Sequence, residues 1–338
     1  MRLLIVTQVI DKNHPILGFF HRWIEEFAKN CETVHVICLH EGEHYFPKNV
    51  HVYSLGKEKR PVSSVLYAFR LNILSWKLRK EYDSVFVHMN PEYTIAGYLT
   101  WLVFRKKIGM WYAHGAVSLK LRLATLMSTY IFTSTPEGFR IDTQKRKIVG
   151  QGIDTVHFAP NQSPKDIDLI SVGRISRTKN LHALVDVLAL VRKEHDVSLT
   201  LVGDTATSSD LSYKTELIDY IQTKDLAGYV HFVGPATQTE LPSYLNRARV
   251  FVHTAKNGSL DKSILEALSC WLPVVTSADG VTSLPLGDWI VHDLQAFAQQ
   301  TSVLLDTSDL KHSQMLRDYV KQHHSITSLV HKICHLYT

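Results

Sequence analysis

Short apolar runs and longer periodic stretches alternate along the whole chain. In the first half, residues 3–6, 34–39, 85–87, 108–112 and 130–132 are short runs rich in Val and Ile, the composition of strands buried on both faces. Between them, residues 18–28, 65–79 and 93–104 follow a helical period. The second half repeats the scheme, with strands predicted at 169–172, 198–202, 230–233, 250–253 and 274–276. After Lys179, the residues Leu181, Leu184, Val185 and Leu188 fall at i, i+3, i+4 and i+7, which makes one face of a helix apolar. Alternation on this scale predicts an α/β protein with parallel sheets covered by helices on both faces. The polar segment Ala159-Pro-Asn-Gln-Ser-Pro-Lys-Asp166, with two prolines, separates two complete blocks. The expectation is therefore two Rossmann-like, doubly wound domains, over 1–158 and 159–318. A final helix over 319–338 would pack back toward the first domain, with Ile326, Leu329, Val330, Ile333 and Leu336 as its buried face. Two such domains facing one another would leave a central cleft at the carboxyl ends of their strands, the usual ligand position in this architecture.

Composition agrees with that size and class. The chain has 338 residues, 45% hydrophobic and 20% charged, which suits two soluble domains better than one. No apolar run is long enough to span a bilayer, and the opening Met1-Arg-Leu-Leu-Ile-Val-Thr-Gln8 reads as a first strand rather than a signal peptide. The four cysteines, Cys31, Cys38, Cys270 and Cys334, form no Cys-x-x-Cys pair and read as reduced thiols of a cytoplasmic protein. Charge is uneven: residues 1–150 carry 21 Lys and Arg against 12 Asp and Glu, a net +9, whereas the remainder is at −4. The basic half points to an anionic partner, or else to a solvated surface with none. No nucleic-acid motif accompanies the charge, so nucleic acid is set aside. Arg105-Lys-Lys107 and the stretches 117–122 and 74–80 mix cations with apolar residues, as helices lying on an anionic membrane do.

Two stretches carry candidate chemistry. In Ser171-Val-Gly-Arg-Ile-Ser-Arg-Thr-Lys-Asn180 an apolar strand runs into a basic turn and then a helix. Arg174 follows the strand end and Lys179 stands at the mouth of the helix. A planar guanidinium fork and a compact ammonium can grip different oxygens of a diphosphate, and a helix N-terminus adds free N–H groups. In Gly258-Ser-Leu-Asp-Lys-Ser-Ile-Leu-Glu266, a glycine-containing loop opens another helix, and Glu266 could accept hydrogen bonds from two ribose hydroxyls. The plainer alternatives are surface cations near a turn and an exposed Lys262–Glu266 pair at i, i+4, which stabilises a helix by only a few tenths of a kcal/mol. The string His40-Glu-Gly-Glu-His44 matches His-Glu-x-x-His, but it follows a strand, contains Gly42 and runs into Pro47, so it is expected to be a loop and not a zinc site.

The combination Gly173-Arg174, Lys179-Asn180, Gly152-Ile-Asp154 and Leu265-Glu-Ala-Leu-Ser-Cys-Trp-Leu-Pro-Val-Val275 resembles the large family-4 group of retaining glycosyltransferases, also called glycosyl transferases group 1, whose fold is GT-B. The resemblance covers nearly the whole chain in the expected order. It implies that Arg174 and Lys179 clamp a donor diphosphate and that Glu266 holds the ribose. It implies that Gly173, Gly203, Asp204, Val233, Gly234 and Pro235 line the nucleotide pocket, with further donor contacts from Gly258, Ser259, Leu260, Lys262 and Ser263. His114, at the end of strand 108–112, would touch the donor sugar, and Gly18, in the turn after the first strand, would approach the donor phosphate. One departure stands out. The family carries a first Glu eight residues before the second, and that position here is Gly258. Asp261 is the candidate to take its place, or is simply a residue matched to a helix N-terminus.

The function so implied is transfer of a hexose-type sugar, with retention, from a UDP- or GDP-linked donor to a hydroxyl. The acceptor would be a lipid-linked or cell-surface glycan, and the enzyme would work in the cytoplasm, in peripheral contact with the inner face of the plasma membrane. No cofactor or metal is expected, since the sugar nucleotide is a co-substrate and two cations meet its phosphates. The rival readings are a catalytically impaired sugar-nucleotide-binding scaffold and a sugar-nucleotide epimerase of the same fold.

Overall fold

The structure is a computed structural model that describes residues 1–14, 16–255, 260–307 and 310–338. The chain divides into two compact units, one of Met1–Gly152 with His323–Thr338 and one of Ile153–Gln322. The division falls six residues before the boundary expected from the prolines. Ile153 and Phe158 are buried in the core of the second unit, whereas the Gly152 carbonyl accepts the Trp23 indole N–H of the first at 2.9 Å. At the other end, Leu316 and Val320 belong to the second core, so the return to the first unit begins at His323 and not at 319.

The first unit holds a seven-stranded parallel sheet of β1 (Arg2–Ile10), β2 (Thr33–Glu41), β3 (Val50–Ser54), β4 (Ser84–His88), β5 (Lys107–Trp111), β6 (Tyr130–Thr133) and β7 (Arg146–Ile148), in the order β3-β2-β1-β4-β5-β6-β7. Successive residues of β1 serve opposite faces, Leu3 and Ile5 one core and Leu4 and Val6 the other. On the first face, α1 (Phe19–Asn30) sets Phe20, Trp23 and Phe27 against Leu329, Val330 and Ile333 of α11 (Ile326–Tyr337). On the second face lie α2 (Ser64–Lys77), α3 (Pro91–Val103) and α4 (Leu119–Met127), which bury Leu71, Trp101 and Leu121. Each such side chain, taken fully out of water, contributes roughly 1.5–3 kcal/mol. The strands β3 and β7 were not anticipated. Both are edge strands of mostly half-exposed residues, and β7 is only Arg-Lys-Ile, so neither carries the apolar run of a strand buried on both faces.

The second unit holds the five predicted strands, β8 (Ile167–Val172), β9 (Leu199–Val202), β10 (Val230–Gly234), β11 (Ala248–His253) and β12 (Val274–Thr276), all parallel in the order β10-β9-β8-β11-β12. Its helices are α5 (Leu181–Val191), α6 (Ser208–Thr223), α7 (Leu241–Arg247), α8 (Lys262–Ser269), α9 (Leu294–Asp306) and α10 (Leu310–His324). The chain winds outward from β8 to β10, then returns to lay β11 against the free side of β8. The carboxyl ends of β8 and β11 therefore flank the topological switch point, where open α/β sheets receive their ligands. The predicted fold class, α/β with two doubly wound parallel sheets, is the one observed.

Candidate functional site

At the end of β8 the backbone makes a turn that only glycine suits. Gly173 has φ +146°, and a side chain there would press on Lys179, with a Cβ 2.9 Å from Lys179 Cε. Beside it, Gly203 follows β9 with φ +139°, and its own missing Cβ leaves room for the Gly173 carbonyl. The two glycines let Lys179 lie over the end of β8. Lys179 is brought back by a short 3₁₀ turn, Arg177–Lys179, closed by Asn180 in the left-handed region at φ 50°. The Thr254 hydroxyl, just past β11, donates to the Asn180 carbonyl at 3.0 Å and fastens that turn to the neighbouring strand.

Lys179 Nζ contacts the Asp261 carboxylate directly, and both side chains are only 16% exposed. Asp261 occupies the N-cap position of α8, yet it makes no capping hydrogen bond. Its carboxylate instead faces Lys179 and His253, whose Nε2 lies 3.0 Å from Asp261 Oδ2. A carboxylate only accepts, so the proton sits on Nε2 and Nδ1 is the acceptor. Nδ1 is 3.1 Å from the Thr276 hydroxyl, whose oxygen accepts the Ala278 N–H at 3.2 Å. A buried chain from Ala278 through Thr276 and His253 to Asp261 thus ends on Lys179. Burial pushes the His253 imidazole below its ordinary value and keeps it neutral. Burial would raise the Asp261 carboxyl, but the Lys179 ammonium and the His253 ring outweigh it and hold the group well below the usual carboxylate range. The space lined by Gly173, Arg174, Lys179 and His253 is nearly filled, with a free volume of about 10 Å³.

Arg174 behaves differently. Its guanidinium is 45% exposed, and Nε stands 3.7 Å from Asp210, which with Thr207 forms the capping box of α6. Asp204 follows Gly203 and pairs with Lys214 at 3.0 Å, and that contact holds its carboxyl below the ordinary value. Gly234 closes β10 at φ +81°, its carbonyl accepts the Gly203 N–H at 2.8 Å, and Val233 and Pro235 flank it at the surface. The carboxyl end of the sheet therefore gathers Gly173, Arg174, Gly203, Asp204, Val233, Gly234 and Pro235, with Lys179 and Asp261 beside them. On α8, Glu266 is only 3% exposed, so the reading of an exposed pair with Lys262 does not hold. Burial pushes the Glu266 carboxyl up, with Lys262 and His157 opposing, and burial pulls the Lys262 ammonium down to about 8 despite Glu266 and Asp154. Leu260 is buried before the helix, and the buried Ser263 hydroxyl on its first turn has no hydrogen-bond partner among the described residues. Gly258 and Ser259 lie outside the described residues.

Gly18 and His114 belong to the first unit. Gly18 is buried where the loop folds onto α1, and a Cβ there would meet the His14 and Lys12 carbonyls at 2.7 Å. His114 is exposed three residues beyond β5, with Nδ1 accepting the Ala116 N–H at 3.3 Å. His40 lies within β2, one residue before its end, and His44 lies in the loop after it, so the His-Glu-x-x-His string is not helical. Sequence reasoning missed His253 and Thr276 as members of the buried chain. The signal was a titratable side chain closing the apolar run Val250–Val252 at a strand's carboxyl end.

Residues 153–293 match the family described as glycosyl transferases group 1. The D-inositol 3-phosphate glycosyltransferase of Jonesia denitrificans is 25% identical over 160 residues, 42% of this chain and 37% of that protein. Spore coat protein SA of Bacillus subtilis is 24% identical over 216 residues, 54% of this chain and 55% of that protein. The matched stretches thus span about a third to a half of these curated relatives. HepE of Anabaena, solved in complex with UDP, superposes with a TM-score of 0.78 at 17% identity, covering 99% of both chains. The fold shared with such structures is GT-B. The match to glycosyl transferases group 1 thus falls within the second unit of a chain of GT-B fold.

Proposed function

We propose that this protein transfers a hexose-type sugar from a UDP- or GDP-linked donor to a hydroxyl acceptor, with retention of configuration, as family-4 glycosyltransferases do. The observation that carries the reading is the convergence of Gly173, Arg174, Lys179 and the start of α8 at the switch point of the second sheet. Diphosphate is the ligand chemistry that two cations beside a helix N-terminus suit best. HepE, of the same fold, is solved with UDP, with UDP and glucose, and with UDP-glucose, which supports a sugar nucleotide as the ligand class.

In this reading Arg174 and Lys179 offset the charge that grows on the departing diphosphate, so neither a metal nor a further cofactor is needed there. The leaving phosphate assists the incoming hydroxyl on the same face of the sugar, and no protein nucleophile is required. Asp261 acts through Lys179, which its carboxylate holds in position. Glu266 receives the ribose, and the unsatisfied Ser263 hydroxyl is available to a donor oxygen. Gly203, Asp204, Val233, Gly234 and Pro235 border the nucleotide, while Gly258, Ser259, Leu260 and Lys262 complete the donor loop. His114 contacts the sugar, and Gly18 shapes the loop that approaches the phosphate. The acceptor is a lipid-linked or cell-surface glycan, reached from the cytoplasmic side in peripheral contact with an anionic membrane.

The test is a panel of UDP-, GDP- and ADP-sugars, scored for binding and for slow hydrolysis without acceptor. Turnover of one donor supports the proposal and names the sugar. Failure to bind any of them removes the phosphate clamp. A second reading, a scaffold that binds but does not turn over, is favoured by Gly258 where relatives carry a glutamate. Tight binding with no turnover, even with a range of glycan acceptors, would select it.

A further inference from the structure

The two faces of the first sheet are covered by helices of different character. On one face no large apolar side chain of α1 or α11 is exposed. On the other, α2, α3 and α4 expose eleven, among them Val65, Phe69 and Trp76 on α2, Leu99 on α3, and Leu119 and Leu126 on α4. The α2 residues repeat at about one per turn, so they form a stripe along its outer side, opposite the buried Leu71. The helix α3 packs between the other two, which makes the three stripes neighbours. A surface of this extent on a soluble unit marks an interaction site.

Charge identifies the partner. The three helices carry Arg70, Lys77, Lys120 and Arg122 against a single acid, Glu92. Across residues 57–126 there are twelve Lys and Arg against four Asp and Glu. Next to Val65, at the start of α2, an open cavity of about 580 Å³ is lined by Lys59, Arg60 and Arg70. We infer that α2, α3 and α4 form a docking face for an anionic lipid bilayer, with the apolar stripes entering the acyl region and the cations meeting headgroup phosphates. This deepens the proposed function by naming the surface that makes the membrane contact. A second copy of the chain fits the face less well, because a two-fold pairing would bring the same cations against each other. Phe69 and Trp76 supply the aromatic side chains that favour the membrane–water boundary, and the flanking cations suit an anionic leaflet.

The full chain should float with vesicles of phosphatidylglycerol and phosphatidylcholine at low salt and not with phosphatidylcholine alone. Brominated acyl chains should quench tryptophan emission, and Trp76→Phe should abolish the quench. Trp76 is 53% exposed on this face, whereas Trp23, Trp101, Trp111 and Trp289 are buried and Trp271 lies in the second unit. Lys77→Ser with Arg122→Ser should weaken partitioning about 25-fold, at roughly fivefold per cation lost. These are exposed positions, and unchanged thermal unfolding would show that the variants fold. No flotation with the anionic vesicles overturns the inference, and so does a quench that survives in Trp76→Phe. A dimer in light scattering that Leu99→Glu dissociates would overturn it in favour of self-association. Sugar-nucleotide binding is measured separately on the same protein. Flotation without it keeps the docking face and removes the donor site, and the reverse result does the opposite.

Discussion

Lys179 and Arg174 are both assigned to the donor phosphate, yet the fold should respond to their loss in opposite ways. Lys179 forms a nearly buried pair with Asp261, while Arg174 is 45% exposed and only loosely opposed by Asp210. Opposite unit charges about 4 Å apart attract by roughly 4 kcal/mol at an effective dielectric near 20. Part of that offsets desolvation of the pair, but removing one partner leaves the other charge buried and uncompensated, which costs about 3–5 kcal/mol in comparable sites. His253 still donates to Asp261 after Lys179 is lost, so we expect Lys179→Met to cost about 2–4 kcal/mol. Asp261→Asn in the same chain should recover much of it. Native-state hydrogen exchange of the amides of α8 reads this region by itself, which matters in a chain of two units. The cycle of Lys179→Met, Asp261→Asn and the double variant should give a coupling of about 2 kcal/mol or more. A coupling below about 0.5 kcal/mol, or an equal loss in Arg174→Ala, would refute the reasoning.

Three further outcomes are expected. Arg174→Ala should lower transfer or donor hydrolysis by roughly two to three orders of magnitude, as loss of a transition-state donor does, while stability stays within about 0.5 kcal/mol; unchanged turnover would exclude it from the mechanism. His253 is neutral in the folded protein because burial lowers its pKa, so the unfolded chain binds the extra proton first. Stability from this group is present above about pH 6.5 and is lost as pH falls below it, by up to about 1.4 kcal/mol per unit; His253→Gln should flatten that limb, and superimposable pH profiles would count against it. Gly203→Ala should cost about 1–3 kcal/mol or more, from a φ of +139° and a collision with the Gly173 carbonyl. Gly228→Ala, which meets nothing within 4 Å, is the matched control in thermal unfolding.

Legibility in the sequence followed burial. Every strand flanked on both sides by other strands and covered on both faces was found from its apolar run, as with β1, β4, β8 and β11. The edge strands β3 and β7 were not, because an edge needs neither Val nor Ile to pair its backbone. The prolines after Ala159 misplaced the division, since a proline marks where the chain bends and not which core receives Ile153 and Phe158. At the site, Arg174 and Lys179 stood out by their place between a strand end and a helix, and the family resemblance implied a shared donor site with Asp261. That Asp261 faces Lys179 instead of capping α8 depends on His253 reaching it from another strand, a tertiary relation that local pattern does not encode.

The helix α11 has a consequence for how the protein is made. Its Leu329, Val330 and Ile333 complete the core around Phe20, Trp23 and Phe27, and the Tyr337 hydroxyl donates to the Val85 carbonyl at 2.7 Å. During translation, one face of the first sheet must therefore stay uncovered until all of residues 153–322 have left the ribosome. The second unit, continuous in sequence, can close while the first still waits for its lid. In that interval α1 offers a stripe of three aromatic rings to whatever is nearby, which makes the nascent chain a natural client for chaperones. A released chain ending before residue 326 would hold all of the second unit beside a first one that lacks its lid.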